Sequence, residues 1–253
     1  LYLVRTIIPK EHMTIVFTAT KHHSEYVHHL FNNIGATSTI VYGSMDQDLR
    51  SSNLKDFRNG KISFLIVTDL AARGIDVPLL NNVINLHFPP SPKLFVHRCG
   101  RAARQGRVGY AFSLVEPEEM AYMVDVHTFL GKDVNNKFGD EYTEDTNELT
   151  VGPGEGNAAS DVTKIGSKSH KGNVGGTSVV PITSYSNGYT LNEFLPEYIH
   201  TGLVPQDAID EENDFLQRAL NDEEHMGTLA RIASNGMQQY RRTRNEATDN
   251  GVK

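Results

Sequence analysis

Four arginines recur at a strict interval of three in HRCGRAARQGR, residues 97–107: Arg98, Arg101, Arg104 and Arg107. Gly100 and Gly106 lie among them, and His97 stands at the head. A guanidinium is always charged, and its planar fork matches the oxygens of a phosphate. Glycine lets the backbone come close to a ligand. A helix packed into a core would not hold four guanidiniums at that interval, so the spacing predicts a loop or helix end facing a polyanion. The plainer alternative is a solvated basic face, yet apolar Phe95, Val96 and Ala102 thread the same stretch. Basic clusters often mean only nucleic-acid affinity.

A second stretch, TDLAARGIDVP at 68–78, follows the apolar run FLIVT. Ligands in an α/β sheet bind beyond the carboxyl ends of the strands. Thr68 and Asp69 stand at such an end, and the Asp76 carboxylate is placed to accept from a sugar hydroxyl. Asp69 could equally cap the short helical turn that follows. A third stretch, YGSMDQDLRSSNLKDFRNG at 42–60, places Gly43 after TIVY and sets Gln47 and Arg50 three apart at a helix start. Helix N-termini bind phosphate through free N–H groups. Taken alone, this third pattern is better read as an amphipathic surface helix.

The elements that would position these residues alternate between two periods over residues 1–132. Short apolar runs at 15–18, 64–68, 83–86 and 109–115 read as buried strands. Helical spacing appears at 22–33 (Tyr26, Val27, Leu30, Phe31), 46–59 (Leu49, Asn53, Leu54, Phe57) and 117–130. Gly35, Gly60 and Gly131 close the three helices. Alternation of strand and helix, with strands apolar throughout, predicts an α/β fold: a parallel sheet with helices on both faces, joined by right-handed crossovers.

Residues 133–188 hold nine glycines and many polar residues, and read as a flexible Gly/Ser/acidic linker. Residues 189–253 regain a pattern and read as a mostly helical extension. TLNEFLPEYI could dock as a short segment, and 211–244 reads as one or two helices with apolar stripes at Phe215, Leu216, Ala219, Leu220 and at Leu229, Ile232, Ala233, Met237, Tyr240.

The 253 residues carry a net charge of −7, unevenly spread: +3 over residues 1–132 and −10 over residues 133–253. An acidic whole argues against a simple electrostatic nucleic-acid binder, although the first part is basic. The single cysteine, Cys99, excludes an intramolecular disulfide and suggests a reducing compartment, with the thiol as a small buried filler. No apolar run approaches the roughly 20 residues that cross a bilayer. His22, His23, His28 and His29 have no Cys or carboxylate partner at zinc spacing, so no metal is expected there. The chain opens on Leu1 rather than Met, which raises the expectation of a piece of a longer protein.

In this order, the three stretches resemble the C-terminal RecA-like lobe of DEAD-box ATP-dependent RNA helicases. IVFTAT (15–20) resembles motif IV, QDLR (47–50) the Gln-x-x-Arg element, VTDLAARGID (67–76) motif V and HRCGRAARQGR (97–107) motif VI. The resemblance covers about residues 4–132. Tyr42 and Cys99 depart from the usual His and aliphatic residue. HTFLGK (127–132) and MQQYRRTRNEAT (237–248) are similar to the nucleolar subfamily acting in large-ribosomal-subunit assembly.

The resemblance implies the following roles. Arg101 and Arg104 would be arginine fingers on the γ-phosphate of ATP. Gly74, Asp76, His97 and Arg98 would serve the nucleotide site, with Asp76 on the ribose. Thr20, Gly43, Gln47, Arg50, Thr68 and Arg73 would hold the RNA backbone. Mg²⁺ would be held by the other lobe. The sequence contains no G-x-x-x-x-G-K-[ST] and no Asp-Glu-Ala-Asp, so this chain alone is expected to be inactive. Implied partners are ribosomal RNA precursor and, through the C-terminal helix, pre-ribosomal proteins; the implied location is the nucleus and nucleolus, away from membranes. One alternative is a non-catalytic RNA/protein interaction module lacking the ATP-binding lobe. Another is a lobe of a DNA-directed helicase, against which His97 and ARGID argue.

Overall fold

The computed structural model describes residues 1–77, 80–102, 109–132, 134–135, 177–180, 199–200, 202–222 and 224–248. Its centre is the strand β1 (Thr14–Thr18), buried at every position. β1 pairs in parallel with β3 (Phe64–Thr68) on one side and β4 (Asn82–Asn85) on the other, with Val16 opposite both Ile66 and Ile84. β2 (Ser38–Val41) lies outside β3, and β5 (Gly109–Ser113) outside β4. A short strand, Thr177–Val180, pairs in parallel with β5 and completes the order β2-β3-β1-β4-β5-β7, where β6 is Val134–Asn135 and β7 is Thr177–Val180. β6 pairs separately with β8, Ile199–His200.

Alternation along the strands divides the core into two layers. Ile15, Phe17, Leu65, Val67, Val83 and Ala111 face one side, where they meet α2 (Gln47–Arg58), α3 (Asp69–Ala72), α4 (Pro92–Cys99) and α5 (Met120–Leu130) through Leu54, Phe57, Ala71, Phe95, Cys99 and Val126. Val16, Ile66, Ile84 and Phe112 face the other side and meet Val27 and Phe31 of α1 (Lys21–Asn33). The fold is the expected RecA-like parallel sheet with helices on both faces.

Local sequence sets the helix ends. Thr20 caps α1 by accepting from the His23 N–H, Asp46 caps α2 through the N–H groups of Asp48 and Leu49, and Ser91 caps α4 through Leu94. Gly131 ends α5 at φ 60°, a left-handed conformation that favours glycine. The expected helix end is present: His97, Arg98 and Cys99 are the last residues of α4. The first residues form a turn of π-helix, Leu3–Ile7, that periodicity does not reveal. One expectation needs correction. Leu49 is 53% exposed rather than on the buried stripe, because Leu54 and Phe57 fill the space beneath α2.

The C-terminal extension is helical: α6 (Gln206–Asp222) and α7 (Glu224–Thr243). Met226 and Leu229 of α7 pack on Leu30 of α1. Farther along, Arg241 pairs with Glu116 and Arg244 with Glu119, the Tyr122 hydroxyl donates to the Asn245 carbonyl, and Thr248 bonds Asp125. The extension therefore runs from α1 on one face of the sheet to α5 on the other. Ile232 is 37% exposed and lies off the buried stripe. Most of residues 133–188, and most of TLNEFLPEYI, lie outside the described residues.

Candidate functional site

The loop after β3 is held from both sides by arginines. From α4, Arg98 extends under the sheet ends and meets Asp69 in a two-pronged ion pair, Nε to Oδ1 at 2.7 Å and Nη2 to Oδ2 at 2.8 Å. Its Nη1 donates to Asn85 Oδ1 at 3.2 Å and to the His87 carbonyl at 2.9 Å. The guanidinium also lies 5.0 Å from the centroid of the Phe17 ring. From α2, Arg50 Nη2 donates to the Ala71 carbonyl at 2.9 Å and Arg58 Nε to the Asp76 carbonyl at 2.7 Å. Past the loop, Leu80 pairs in parallel with Ala102, beside Arg101. The motif V and motif VI stretches are thus tied by the Asp69–Arg98 ion pair, and the Leu80–Ala102 bridge joins the chain just after the first to the second.

This arrangement corrects the reading of Arg98. Its side chain is 0% exposed and its nitrogens are bonded inside the protein. It cannot touch a nucleotide without breaking those bonds, so it is a structural tie between the two stretches. The argument that four guanidiniums could not sit against a core fails for this one, because a carboxylate, an amide and a carbonyl are gathered around it. Asp69, read as a possible turn cap, is instead the carboxylate of that tie; Thr68 occupies the N-cap position and makes no side-chain cap.

The other nucleotide-site candidates lie at the surface. Gly74 has φ 71°, and both it and Asp76 are exposed. His97 is exposed at the end of α4, with Nε2 3.2 Å from Nη2 of the half-buried Arg101. Arg104 lies outside the described residues, as do Gly106 and Arg107.

The RNA-site candidates gather at the carboxyl ends of β1, β2 and β3. Thr20 follows β1, its Oγ1 2.9 Å from His23 Nδ1. Gly43 follows β2, where an added Cβ would stand 3.0 Å from Cδ2 of the exposed Leu70 side chain, so a larger residue would have to push that side chain aside. Gln47, Arg50, Arg58 and Gly74 line a polar cavity of about 370 Å³ between α2 and the loop. Thr68 ends β3, and Arg73 is exposed five residues later, just past α3. Arg58, Asn85 and His87 were not picked out from the sequence. The signals are an arginine eight residues after Arg50, and polar residues at and just past the end of an apolar strand.

The histidines serve packing. His23 and His87 stack edge-on at 4.4 Å, and His87 Nδ1 accepts from the Ala19 N–H at 3.2 Å. Burial lowers His23 to about 4 and His87 to about 3. Both are therefore neutral in the fold and become protonated on unfolding below the ordinary value of about 6.5. The unfolded chain then binds more protons, so their contribution is complete above about pH 6.5 and is lost as pH falls toward 4. Each steepens the loss by at most about 1.4 kcal/mol per pH unit. Urea melts between pH 7 and 5 should show this decline, and the double variant His23→Gln/His87→Gln should flatten it. A wild-type midpoint independent of pH across that range would contradict the assignment. His22 pairs with Glu25, His28 bonds Ser38, and His29 stacks on His225. Cys99 is buried, and burial pushes its thiol up to about 12.

A parallel sheet whose strand-end loop is braced by Arg50, Arg58 and Arg98 has the arrangement of a RecA-like lobe. Comparison with known proteins gives the same class: residues 2–106 match the helicase conserved C-terminal domain. Over all of its length the chain is 37% identical to the ATP-dependent RNA helicase DDX54 of Mus musculus, and covers 24% of that protein. It is 54% identical over 132 residues, 52% of its length, to the DEAD-box ATP-dependent RNA helicase 29 of Oryza sativa, of which it covers 16%. The solved E. coli DEAD-box protein SrmB, bound to regulator of ribonuclease activity A, is 32% identical over 51% of this chain and 74% of that one, with a TM-score of 0.48. Residues 2–106 thus carry the helicase conserved C-terminal domain, and over its whole length the chain is similar to an ATP-dependent RNA helicase. It spans a quarter or less of the length of these curated relatives.

Proposed function

We propose that this chain is the second lobe of an ATP-dependent RNA helicase that acts in ribosome biogenesis in the nucleolus. It would supply arginine fingers for ATP hydrolysis and half of an RNA-backbone site. The observation that carries this reading is the pairing of the two motif stretches. The Leu80–Ala102 bridge sets Ala102, next in the chain to Arg101, beside Leu80, four residues past Asp76. A ribose could then meet the Asp76 carboxylate while the terminal phosphate meets Arg101 and Arg104. His97 beside Arg101 would orient that guanidinium.

ATP supplies the phosphoryl group, and the ATP-binding lobe would contribute the P-loop. Mg²⁺ would be held there too. Among the described residues, no three His, Cys, Asp or Glu side chains gather as a metal site. This chain's arginines would neutralise charge that develops on the transferred phosphoryl group. RNA would lie over Thr20, Gly43, Gln47, Arg50, Thr68 and Arg73, which touch its backbone and so position it without reading sequence. Preference for RNA over DNA would come from the 2′-hydroxyl. Ribosomal RNA precursor is the proposed substrate, and pre-ribosomal proteins the proposed partners of the C-terminal helices. The subfamily reading is supported by the match to DDX54 over the entire chain.

Binding of labelled single-stranded RNA, followed by anisotropy, tests the RNA half-site on this chain. The expected result is weak binding, tighter for RNA than for DNA of the same sequence. Arg50→Ala should weaken it roughly tenfold, as loss of one charge-assisted contact would. Unchanged binding by Arg50→Ala, in a protein whose melting temperature is preserved, would remove Arg50 from the RNA site.

A further inference from the structure

The helix α2 touches both proposed ligand regions. Gln47 and Arg50, near its start, belong to the RNA half-site. Arg58, at its last turn, donates through Nε to the backbone carbonyl of Asp76 at 2.7 Å, and Asp76 is the proposed ribose contact. Arg50, Leu54 and Arg58 fall on one i, i+4, i+8 row of the helix. The middle residue of that row is buried in the core, and Phe57 beside it is 0% exposed. The helix is therefore anchored along one edge, with an arginine on either side of the anchor. Each arginine holds a different carbonyl of the segment after β3, Ala71 of α3 in one case and Asp76 in the other. Gly74, in a left-handed conformation at φ 71°, lies between those two carbonyls.

We propose that Arg58 is a positioning residue that couples RNA occupancy to nucleotide binding through α2. The inference rests on the proposed function, since it takes Arg50 to meet RNA and Asp76 to meet the ribose. RNA that pulls on Gln47 and Arg50 shifts or stiffens α2. The Arg58–Asp76 bond passes that bias to the loop, and the loop presents its carboxylate in one place. Arg58 itself contacts no ligand in this account. The coupling is reciprocal: a nucleotide on the loop must tighten RNA by the same factor that RNA tightens nucleotide.

The test uses the chain joined to a P-loop lobe, with RNA affinity measured by anisotropy with and without a non-hydrolysable ATP analogue. The intact protein should bind RNA at least about fivefold tighter with the analogue, the low end of ordinary coupling. Arg58→Ala should bind RNA alone as the intact protein does, while the tightening falls below about twofold. Arg58→Lys, which can still donate to a carbonyl, should recover part of it. A merely structural role would lower the melting temperature and RNA affinity together and leave the ratio alone. Full tightening in a folded Arg58→Ala protein overturns the inference and leaves the proposed function standing. No tightening in the intact protein overturns both.

Discussion

Arg98→Ala should cost about 3–5 kcal/mol of stability, the usual price of breaking a buried ion pair by removing one partner. The physical reason is what remains behind. Asp69, with its side chain only 28% exposed, would lose both of its charge-assisted bonds. Asn85 Oδ1 and the His87 carbonyl would lose their donor inside the protein. Replacing a buried pair with matched apolar groups can be nearly neutral, but orphaning one charge is not. Arg98→Lys should recover little, because an ammonium cannot span Asp69, Asn85 and His87 with one planar fork. For a protein of this size the loss corresponds to roughly 10 °C in melting temperature. Thermal melts followed by circular dichroism check this. An Arg98→Ala protein melting within about 2 °C of the parent would show that the tie between the motif stretches is not structural.

The second large effect is on chemistry. In a two-lobed protein, Arg101→Ala and Arg104→Ala should each lower RNA-stimulated turnover by 10³–10⁵-fold, or about 4–7 kcal/mol. Their guanidiniums would meet charge that grows only as the phosphoryl group transfers, so the loss should appear in kcat more than in RNA affinity. The melting temperature should change less for Arg101→Ala than for Arg98→Ala, because the Arg101 side chain, just past α4, is half-buried while that of Arg98 is wholly buried. The two neighbouring arginines thus separate by readout: Arg98 by stability, Arg101 by turnover.

Much of the fold could be read from the residues. All-apolar runs such as FLIVT cannot face water on either side, so they announce a sheet covered twice. Glycines after 3.6-period stretches mark the helix ends because the stops are local. The short α4 is harder to read. Its last turn opens the arginine row with Arg98, and that charge conceals the buried face that Phe95, Arg98 and Cys99 form. The same masking explains the misreading of Arg98. Spacing shows that a guanidinium is present, but not that Asp69, twenty-nine residues earlier, has come to meet it. Non-local pairing of this kind follows from topology: β3 and β4 flank β1 and bring their trailing loops together. Arg58 was missed for a similar reason, since its partner is a backbone carbonyl and leaves no mark on residue type. The docking of α7 against both α1 and α5 likewise depends on contacts between distant segments.

The account reduces to one electrostatic proposition: the arginines after α4 complete a phosphoryl-transfer site whose other half belongs to a P-loop lobe. RNA-stimulated phosphate release measures it most directly, on the 253-residue chain alone and on the chain joined to such a lobe, each with Arg104 intact and as Arg104→Ala. The account predicts no release above background from the chain alone, RNA-stimulated release from the joined protein, and loss of that release in its Arg104→Ala form. Turnover by the chain alone, or an Arg104→Ala protein that hydrolyses ATP at the parent rate, would contradict it.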